Sequence, residues 1–309
     1  MWPGSQVAKA LLCKRSIREC KSRPGLKILP WWRNWYYARD LKSLGRIARV
    51  GSSPTHGIFM GLPVNKKFFS LWSNEMSYIL GMIIADGCLV NKRTRKDGTK
   101  QLLLDITSKD INLLKMIKGA MVAKQKIGLK SSGSGRRERY YRIQIGYQGI
   151  CKDLLKLGVM PRKTSKLNPI KVPSRYFSDF VRGFFDGDGT VYIYKVNNVP
   201  QIKAGFVSTS LSFLVKFNQQ LCNNLDIPTK SIHRTIDKRA VGRMIQYSIC
   251  FYVDDCEKLA DFMYGNNPSL YLPRKRKVFE RWKLINRRHY IKQNYPSKIG
   301  WRLNQKVLV

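Results

Sequence analysis

Met76-Ser-Tyr-Ile-Leu-Gly-Met-Ile-Ile-Ala-Asp-Gly87 and Phe180-Val-Arg-Gly-Phe-Phe-Asp-Gly-Asp-Gly189 are the two stretches whose reading decides the fold. Each is an apolar run with small residues four apart, Gly81 and Ala85 in the first, Gly183 and Gly187 in the second. Positions four apart share a helix face, so each run predicts a helix with a flat, small-residue stripe. Such a stripe lets two backbones approach closely, and the second copy, 102 residues after the first, supplies the partner. Each run stops at Asp-Gly, where the glycine is expected to end the helix through its tolerance of positive φ. Packing the two helices side by side delivers Asp86 and Asp188 to one end of a shared seam. Carboxylates gathered there repel unless positive charge lies between them, and a divalent metal carrying a phosphate would supply it.

The segments after each run also correspond. After the first come strands at Cys88–Lys92 and Gln101–Thr107, joined by a charged turn in which Asp97-Gly98 is a hairpin signal. A helix capped by Ser108 follows, then a hairpin from Gly128 to Ile145, then a short helix over Cys151–Leu157. The second half repeats this order with Thr190–Tyr194, Gln201–Thr209, a helix from Ser210, strands at Lys230–Ile236 and Ile245–Tyr252, and a helix from Asp254. Matching segments lie about 101 to 112 residues apart, among them Ile106-Thr-Ser against Val207-Ser-Thr and Met160-Pro-Arg-Lys163 against Leu272-Pro-Arg-Lys275. Beyond Arg288 the sequence reads as a basic tail.

Over roughly Met76 to Trp282 the chain resembles the LAGLIDADG homing endonucleases in their single-chain, two-repeat form. The resemblance implies an α+β fold: a duplicated αββαββα unit with two antiparallel sheets forming a DNA-binding saddle and the signature helices packed at the interface. It implies repeats at 60–170 and 171–290, followed by a tail at 291–309. It also implies Asp86 and Asp188 as catalytic metal ligands, with the main-chain carbonyls of Ala85 and Gly187 facing the metal, and Mg²⁺ (or Mn²⁺) as cofactor. The departure is Ile84, where the family usually has an acid and the second copy keeps Asp186. Because the later acid is the family's ligand, Ile84→Asp is expected to leave cutting unchanged, its side chain facing away from the site. The family's lysine in each half maps onto Lys163 and Lys275, with Lys166 and Lys277 close behind.

The residue types suit that chemistry. Hydrolysing a phosphodiester needs an activated water, charge compensation at the phosphorane and help for the leaving alkoxide, and hard divalent cations held by carboxylates supply all three. A carboxylate at a helix C-terminus opposes the macrodipole and needs such a reason to be there. A lysine beside the scissile phosphate can orient water or stabilise charge. On the strand Thr190-Val-Tyr-Ile-Tyr194, Val191 and Ile193 are expected in the core and Tyr192 and Tyr194 on the groove face. Lys92, Arg95, Lys100, Arg136, Arg137, Arg139, Arg142, Gln144, Lys203, Arg234, Lys238, Arg239, Arg243 and Gln246 fall on strands and turns, where some would read base edges and most would hold phosphates.

Composition agrees with a polyanionic partner. The chain has 309 residues, with 58 Lys+Arg against 19 Asp+Glu and a net charge of +39. Self-repulsion of that size destabilises a fold unless nucleic acid relieves it. Seven scattered Cys without a C-x-x-C pair argue against a zinc ribbon or disulfide framework and for a reducing interior, the cytoplasm or nucleoid of a prokaryote or the inside of an organelle. Three His leave little for His-based metal sites, and no apolar run approaches the ~20 residues that cross a bilayer. No G-x-x-x-x-G-K-[ST] loop supports nucleotide-driven activity.

Residues 1–59, with 12 basic and 2 acidic side chains, do not read like a protein module. An Arg-rich, acid-poor leader resembles a transit peptide. Back-translation fits better. Val50-Gly-Ser-Ser-Pro-Thr55 as GTG GGT TCG AGT CCC ACC folds like the T arm of a tRNA gene. Arg39-Asp-Leu-Lys-Ser-Leu44 can encode a leucine anticodon arm and Trp32-Arg-Asn-Trp35 a D arm. The segment is therefore expected to be read-through of a tRNA gene, with the functional start at Met60 or Met76. Residues 60–309 still carry 46 basic against 17 acidic side chains, so the polyanion argument survives.

The reading is a monomeric, metal-dependent endonuclease that cuts both strands of a long, specific DNA site, leaves short 3′ overhangs and promotes mobility of its own gene or host intron. One alternative is an intron maturase on the same scaffold, with intron RNA as partner. Another is a cleavage-dead DNA-binding regulator, which would be expected to have lost one of the two aspartates.

Overall fold

The structure is a computed structural model that describes residues 62–94, 98, 100–130, 140–161, 167–237 and 244–294. Met1–Phe59 and Met60–Val309 are separate units, and every described residue belongs to the second. The expectations for residues 1–59, for the tail past residue 294 and for Arg95, Arg136, Arg137, Arg139, Lys163, Lys166, Lys238, Arg239 and Arg243 lie outside the described residues.

The Ser73 hydroxyl accepts the Met76 N–H and opens helix α1 (Asn74–Asp86), which is buried from Met76 to Ile84. The chain then runs through β1 (Gly87–Thr94), β2 (Lys100–Ser108), α2 (Ile111–Ala120), β3 (Ile127–Lys130), β4 (Tyr140–Ile145) and α3 (Gln148–Lys156). The same series follows as α4 (Ser174–Asp188), β5 (Thr190–Val196), β6 (Val199–Ser208), α5 (Leu211–Leu225), β7 (His233–Asp237), β8 (Met244–Tyr252) and α6 (Val253–Tyr264). Each half forms a four-stranded antiparallel sheet, ordered β1-β2-β4-β3 and β5-β6-β8-β7. The fold is thus an α+β duplication of an αββαββα unit.

Three local expectations change. Asp110, not Ser108, caps α2, its carboxylate accepting from Asn112 and Leu113, while the Ser108 hydroxyl accepts the Asp110 N–H. In the second half Ser208 accepts from the N–H of Ser210, which caps α5. The two halves therefore register at an offset of 100 here, and Thr107-Ser108, not Ile106-Thr107, matches Val207-Ser208. Finally, α7 (Pro273–Asn294) is a continuous helix where a patternless tail was expected beyond Arg288.

Alternation along the strands builds the core. Leu102, Leu104 and Ile106 of β2 meet Ile143 and Ile145 of β4, while Ile202, Ala204 and Phe206 meet Ile249 and Phe251 in the second sheet. The first half is packed mainly with aliphatic side chains. The second is aromatic, with Phe184 against Phe206, Phe213 and Phe217 at ring distances of 5.2–5.6 Å. The β5–β6 hairpin turns through Asn197 and Asn198, both at positive φ (48° and 63°), the pair expected of a two-residue turn.

Candidate active site

Helices α1 and α4 touch backbone to backbone. A Cβ on Gly183 would lie 1.9 Å from the Tyr78 carbonyl oxygen, and one on Gly81 would lie 2.2 Å from that of Phe180. Gly187 faces Ala85, whose Cβ would be 2.2 Å away from an added methyl. No larger residue fits the seam without pushing the helices apart.

Both helices end abruptly, but not as expected. Gly87 and Gly189 have φ of −87° and −75°, extended rather than left-handed. Glycine is needed there for room: a Cβ on Gly87 would lie 2.7 Å from Ile83 Cα, and one on Gly189 would lie 2.5 Å from the Phe185 carbonyl oxygen. The chain turns straight from helix into strand, and this leaves Asp86 and Asp188 exposed at adjacent helix ends.

Each aspartate opens on its own cleft. Asp86 shares a cavity of about 790 Å³ with Gly187, Asp186, Ser108, Lys109, Tyr140 and Arg274. Asp188 shares one of about 280 Å³ with Ala85, Ile84, Ser208, Thr209 and Gln246. The pairing is crossed: each carboxylate meets the residue that precedes the other one. A Cβ on Gly187 would lie only 3.5 Å from Asp86 Oδ2. The donors on offer are hard carboxylate oxygens, from Asp86, Asp110 and Asp186 along the first cleft and from Asp188 in the second, and among the described residues no three or more His, Cys, Asp or Glu are grouped closely enough to hold a metal ion by themselves. That set fits a Mg²⁺-like cation, which keeps water and substrate phosphate oxygens in its shell, and not a dedicated all-protein cage.

Lys275 lies beneath this end of the seam. It is 5% exposed, and its Nζ donates to the carbonyls of Phe185, Asp186 (2.9 Å) and Gly189, with Gly187 at 3.4 Å. Burial pulls its pKa down to about 8, opposed chiefly by Asp186 and also by Asp86 and Asp188. It is still an ammonium at neutral pH, capping the negative end of α4. Of the Pro-Arg-Lys stretch it is Arg274, not Lys275, that lines the cleft with Asp86. Lys277 is exposed on α7.

Asp186, the acid that Ile84 lacks, does not turn away from the chemistry. It is 2% exposed, it lines the Asp86 cleft, and its Oδ2 accepts from the Tyr78 hydroxyl (2.9 Å) and the Leu272 N–H (2.7 Å). Burial pushes its pKa up to about 6. Ile84, 3% exposed, lines the Asp188 cleft in the same way, so the expectation that this position faces away is corrected. One turn earlier Arg182 is buried and donates to the carbonyls of Leu270 and Met263, both at 2.8 Å. Arg182 and Asp186 together fasten the segment that leads into α7.

The sheets' other faces carry the candidate reading residues. Strand register puts Arg142 and Gln144 on the face away from the core of the first sheet, with Asp105 and Thr107 opposite them. In the second sheet Tyr192, Lys203 and Tyr252 form a cross-strand row, Lys203 Nζ lying 5.4 Å from the Tyr252 ring centre. Tyr194 is beside Tyr192, ring centres 5.8 Å apart, and Gln246 lies on the same face while lining the Asp188 cleft. Arg234 does not join them: it pairs with Tyr247 on the face that carries Phe206 and Ile249. Lys100 likewise falls, through its pairing with Thr94, on the core side at the turn end of the hairpin. Lys92 sits in a bulge between Asn91 and Arg93, and the extra residue rotates Arg93, opposite Gln101, onto the face away from the core. Lys130, whose Nζ lies 3.2 Å from Thr107 Oγ1, is on that face too. Arg93, Lys130, Lys109, Tyr140 and Arg274 are additions that the sequence reading passed over. A bulge and a crossed pairing are invisible to period-2 alternation.

Residues 178–260 match the model of the LAGLIDADG-like domain. The uncharacterized protein MJ0398 of Methanocaldococcus jannaschii is 29% identical over 203 residues, 64% of this chain and 66% of that protein, just under two thirds of its length. Among solved structures, the LAGLIDADG meganuclease I-AabMI bound to uncleaved DNA aligns over 70% of this chain and 91% of its own, at 16% identity and a TM-score of 0.44. The homing endonuclease I-GzeII in complex with its DNA target aligns over 71% and 92%, at 10% identity and a TM-score of 0.47. I-DmoI in complex with DNA and Mn aligns over 67% and 100%, at 17% identity and a TM-score of 0.36.

Proposed function

We propose that this chain, whose residues 178–260 match the LAGLIDADG-like domain, is a divalent-metal-dependent endonuclease that cuts both strands of a specific duplex DNA site. The observation that carries the reading is the pair of exposed carboxylates, Asp86 and Asp188, at the ends of two helices in backbone contact, each in its own cleft beside the residue preceding the other. One cleft per strand is the arrangement a double-strand cut by a monomer requires.

Asp86 with the Gly187 carbonyl, and Asp188 with the Ala85 carbonyl, would hold Mg²⁺ or Mn²⁺. Such a cation, when bound, lowers the pKa of a water and compensates charge on the phosphate and leaving oxygen. The chain's own groups do the rest. Arg274 and Lys109 line the Asp86 cleft as cations for a phosphate. Lys275 holds the C-terminal turn of α4 closed, so that Asp188 is presented at a fixed distance from Asp86. The basic sheet faces dock the duplex, which fits the excess of positive charge over the whole chain. Short 3′ overhangs, mobility of the gene or a host intron, and action inside a cell or organelle belong to the same proposal. Retention of both aspartates disfavours the regulator, and no residue described here favours intron RNA over DNA.

The experiment is cleavage of a randomised duplex library by the purified chain with Mg²⁺, with Mn²⁺ and with chelator. Recovery of one cut sequence only with metal is the expected result. Binding of a sequence without any cut under the three conditions would overturn the endonuclease reading.

A further inference from the structure

Asp105 is an acid where a DNA-facing surface should have none. It stands on the groove face of β2, opposite Gln144 of β4, yet it is only 7% exposed. Its Oδ2 accepts from Gln144 Nε2 at 3.2 Å and faces Arg142 Nη1 at 3.9 Å. Its Oδ1 is buried and has no hydrogen-bond partner among the described residues. A negative charge on this face repels phosphate, so its presence calls for a local reason.

The reason lies in the amide. A glutamine on a strand can turn either its NH₂ or its carbonyl toward a base, and so can read donors or acceptors equally well. An ionised carboxylate accepts only. Beside Asp105 the amide must turn its NH₂ inward, which directs Oε1 of Gln144 away from Asp105 as an acceptor. Arg142, half exposed and two residues along the same face, meets Asp105 through Nη1, and its guanidinium is a donor only. The second sheet has no such device: the register places Gly205 at the position of Asp105, Cys250 at that of Gln144 and Ser248 at that of Arg142.

We propose that Asp105 is a positioning residue for base recognition, fixing Gln144 as an acceptor and Arg142 as a donor so that the first sheet reads an amino-bearing base (adenine or cytosine) under Gln144 and guanine under Arg142. The inference rests on the DNA-cleaving reading above. It concerns specificity alone, since Asp105 lines neither aspartate cleft.

Binding selection from a randomised duplex library, in Ca²⁺ to prevent cutting, tests it with the full chain and with Asp105→Asn, Gln144→Ala and the double variant. Asp105→Asn should relax preference at the base pair under Gln144 by roughly five- to tenfold, while other positions hold. In the Gln144→Ala background the same change should have no further effect at that base pair, because Asp105 acts there through the amide. A purely structural role would instead weaken all positions together and add to Gln144→Ala, and that pattern would overturn the proposal. So would an Asp105→Asn profile identical to that of the unaltered chain. If the unaltered chain selects no sequence, the DNA-site reading itself fails and this inference with it. Should Asp105→Asn fold poorly, Gln144→Glu replaces it: two facing carboxylates must part, and the preference under residue 144 must change.

Discussion

The Tyr78 hydroxyl of α1 donates to Asp186 Oδ2 of α4 at 2.9 Å, across the seam where the two helices touch. The pseudo-equivalent residues, 102 positions away in each case, are Phe180 and Ile84, which have neither hydroxyl nor acid. The acid missing from the first signature is thus missing together with its donor. Charge burial explains the pairing: a carboxyl in that place is tolerable only with partners, and Asp186 has Tyr78 and the Leu272 N–H.

Ile84→Asp is therefore expected to destabilise the fold, on the order of 2–4 kcal/mol, because it buries a carboxyl opposite a phenyl ring. Adding Phe180→Tyr should recover part of that loss by restoring the hydroxyl. Urea denaturation of the single and double variants checks this. Equal midpoints for the two would refute the pairing.

Asp186 also makes stability depend on pH. Its pKa of about 6 in the fold is above the ordinary carboxylate value near 3.9. Its contribution is fully present below pH ~4 and is lost as pH rises through about 6, since the unfolded chain ionises first. Relative to Asp186→Asn, the natural chain should lose about 3 kcal/mol across that window and nothing further above it. Denaturation curves for both at pH 4, 5, 6 and 7 decide; parallel pH profiles would contradict the assignment.

Asp86→Asn and Asp188→Asn keep shape while removing charge. Each should abolish double-strand cleavage and leave duplex binding intact or tighter. Residual product should be a nick, on opposite strands for the two variants, because each carboxylate serves its own cleft. End-labelled duplex run on a denaturing gel shows which strand is cut. Normal double-strand cutting by both variants is the outcome that removes the proposed site.

Gly183→Ala should destabilise by about 3 kcal/mol or more, since its methyl would lie 1.9 Å from a backbone oxygen with nowhere to move. Gly119→Ala in α2 is the matched control: a Cβ there meets nothing within 4 Å, so alanine's helix propensity should stabilise by up to ~1 kcal/mol. Thermal melts of the two variants should shift in opposite directions.

Duplex affinity should fall steeply with salt. If about 6–10 phosphates are neutralised, the loss between 50 and 200 mM salt is on the order of 10³–10⁵-fold. Titration of a labelled duplex over that range measures it, and a flat response would mean that the basic faces are not the docking surface.

The duplication, the two signature helices and the position of the two aspartates were legible in the sequence because each rests on local periodicity. Small residues four apart must share a face, and a run that stops at Asp-Gly must leave the acid at its end. Strand alternation was legible for the same reason, as at Val191 and Ile193, which pack against the core. What the sequence could not determine depends on groups from distant segments meeting. Lys275 reads as one more lysine in a chain full of them until four carbonyls surround its Nζ. Arg93 turns to the face away from the core only because a bulge consumes one residue of β1. Gly87 and Gly189 terminate helices for want of space beside Ile83 and Phe185, not through φ, and no local propensity encodes that. Asp105 and Asp186 owe their roles to partners 39 and 108 residues away, Gln144 and Tyr78. Tertiary packing decided these, because the state of a buried charge is set by whatever the fold brings to within hydrogen-bonding distance of it.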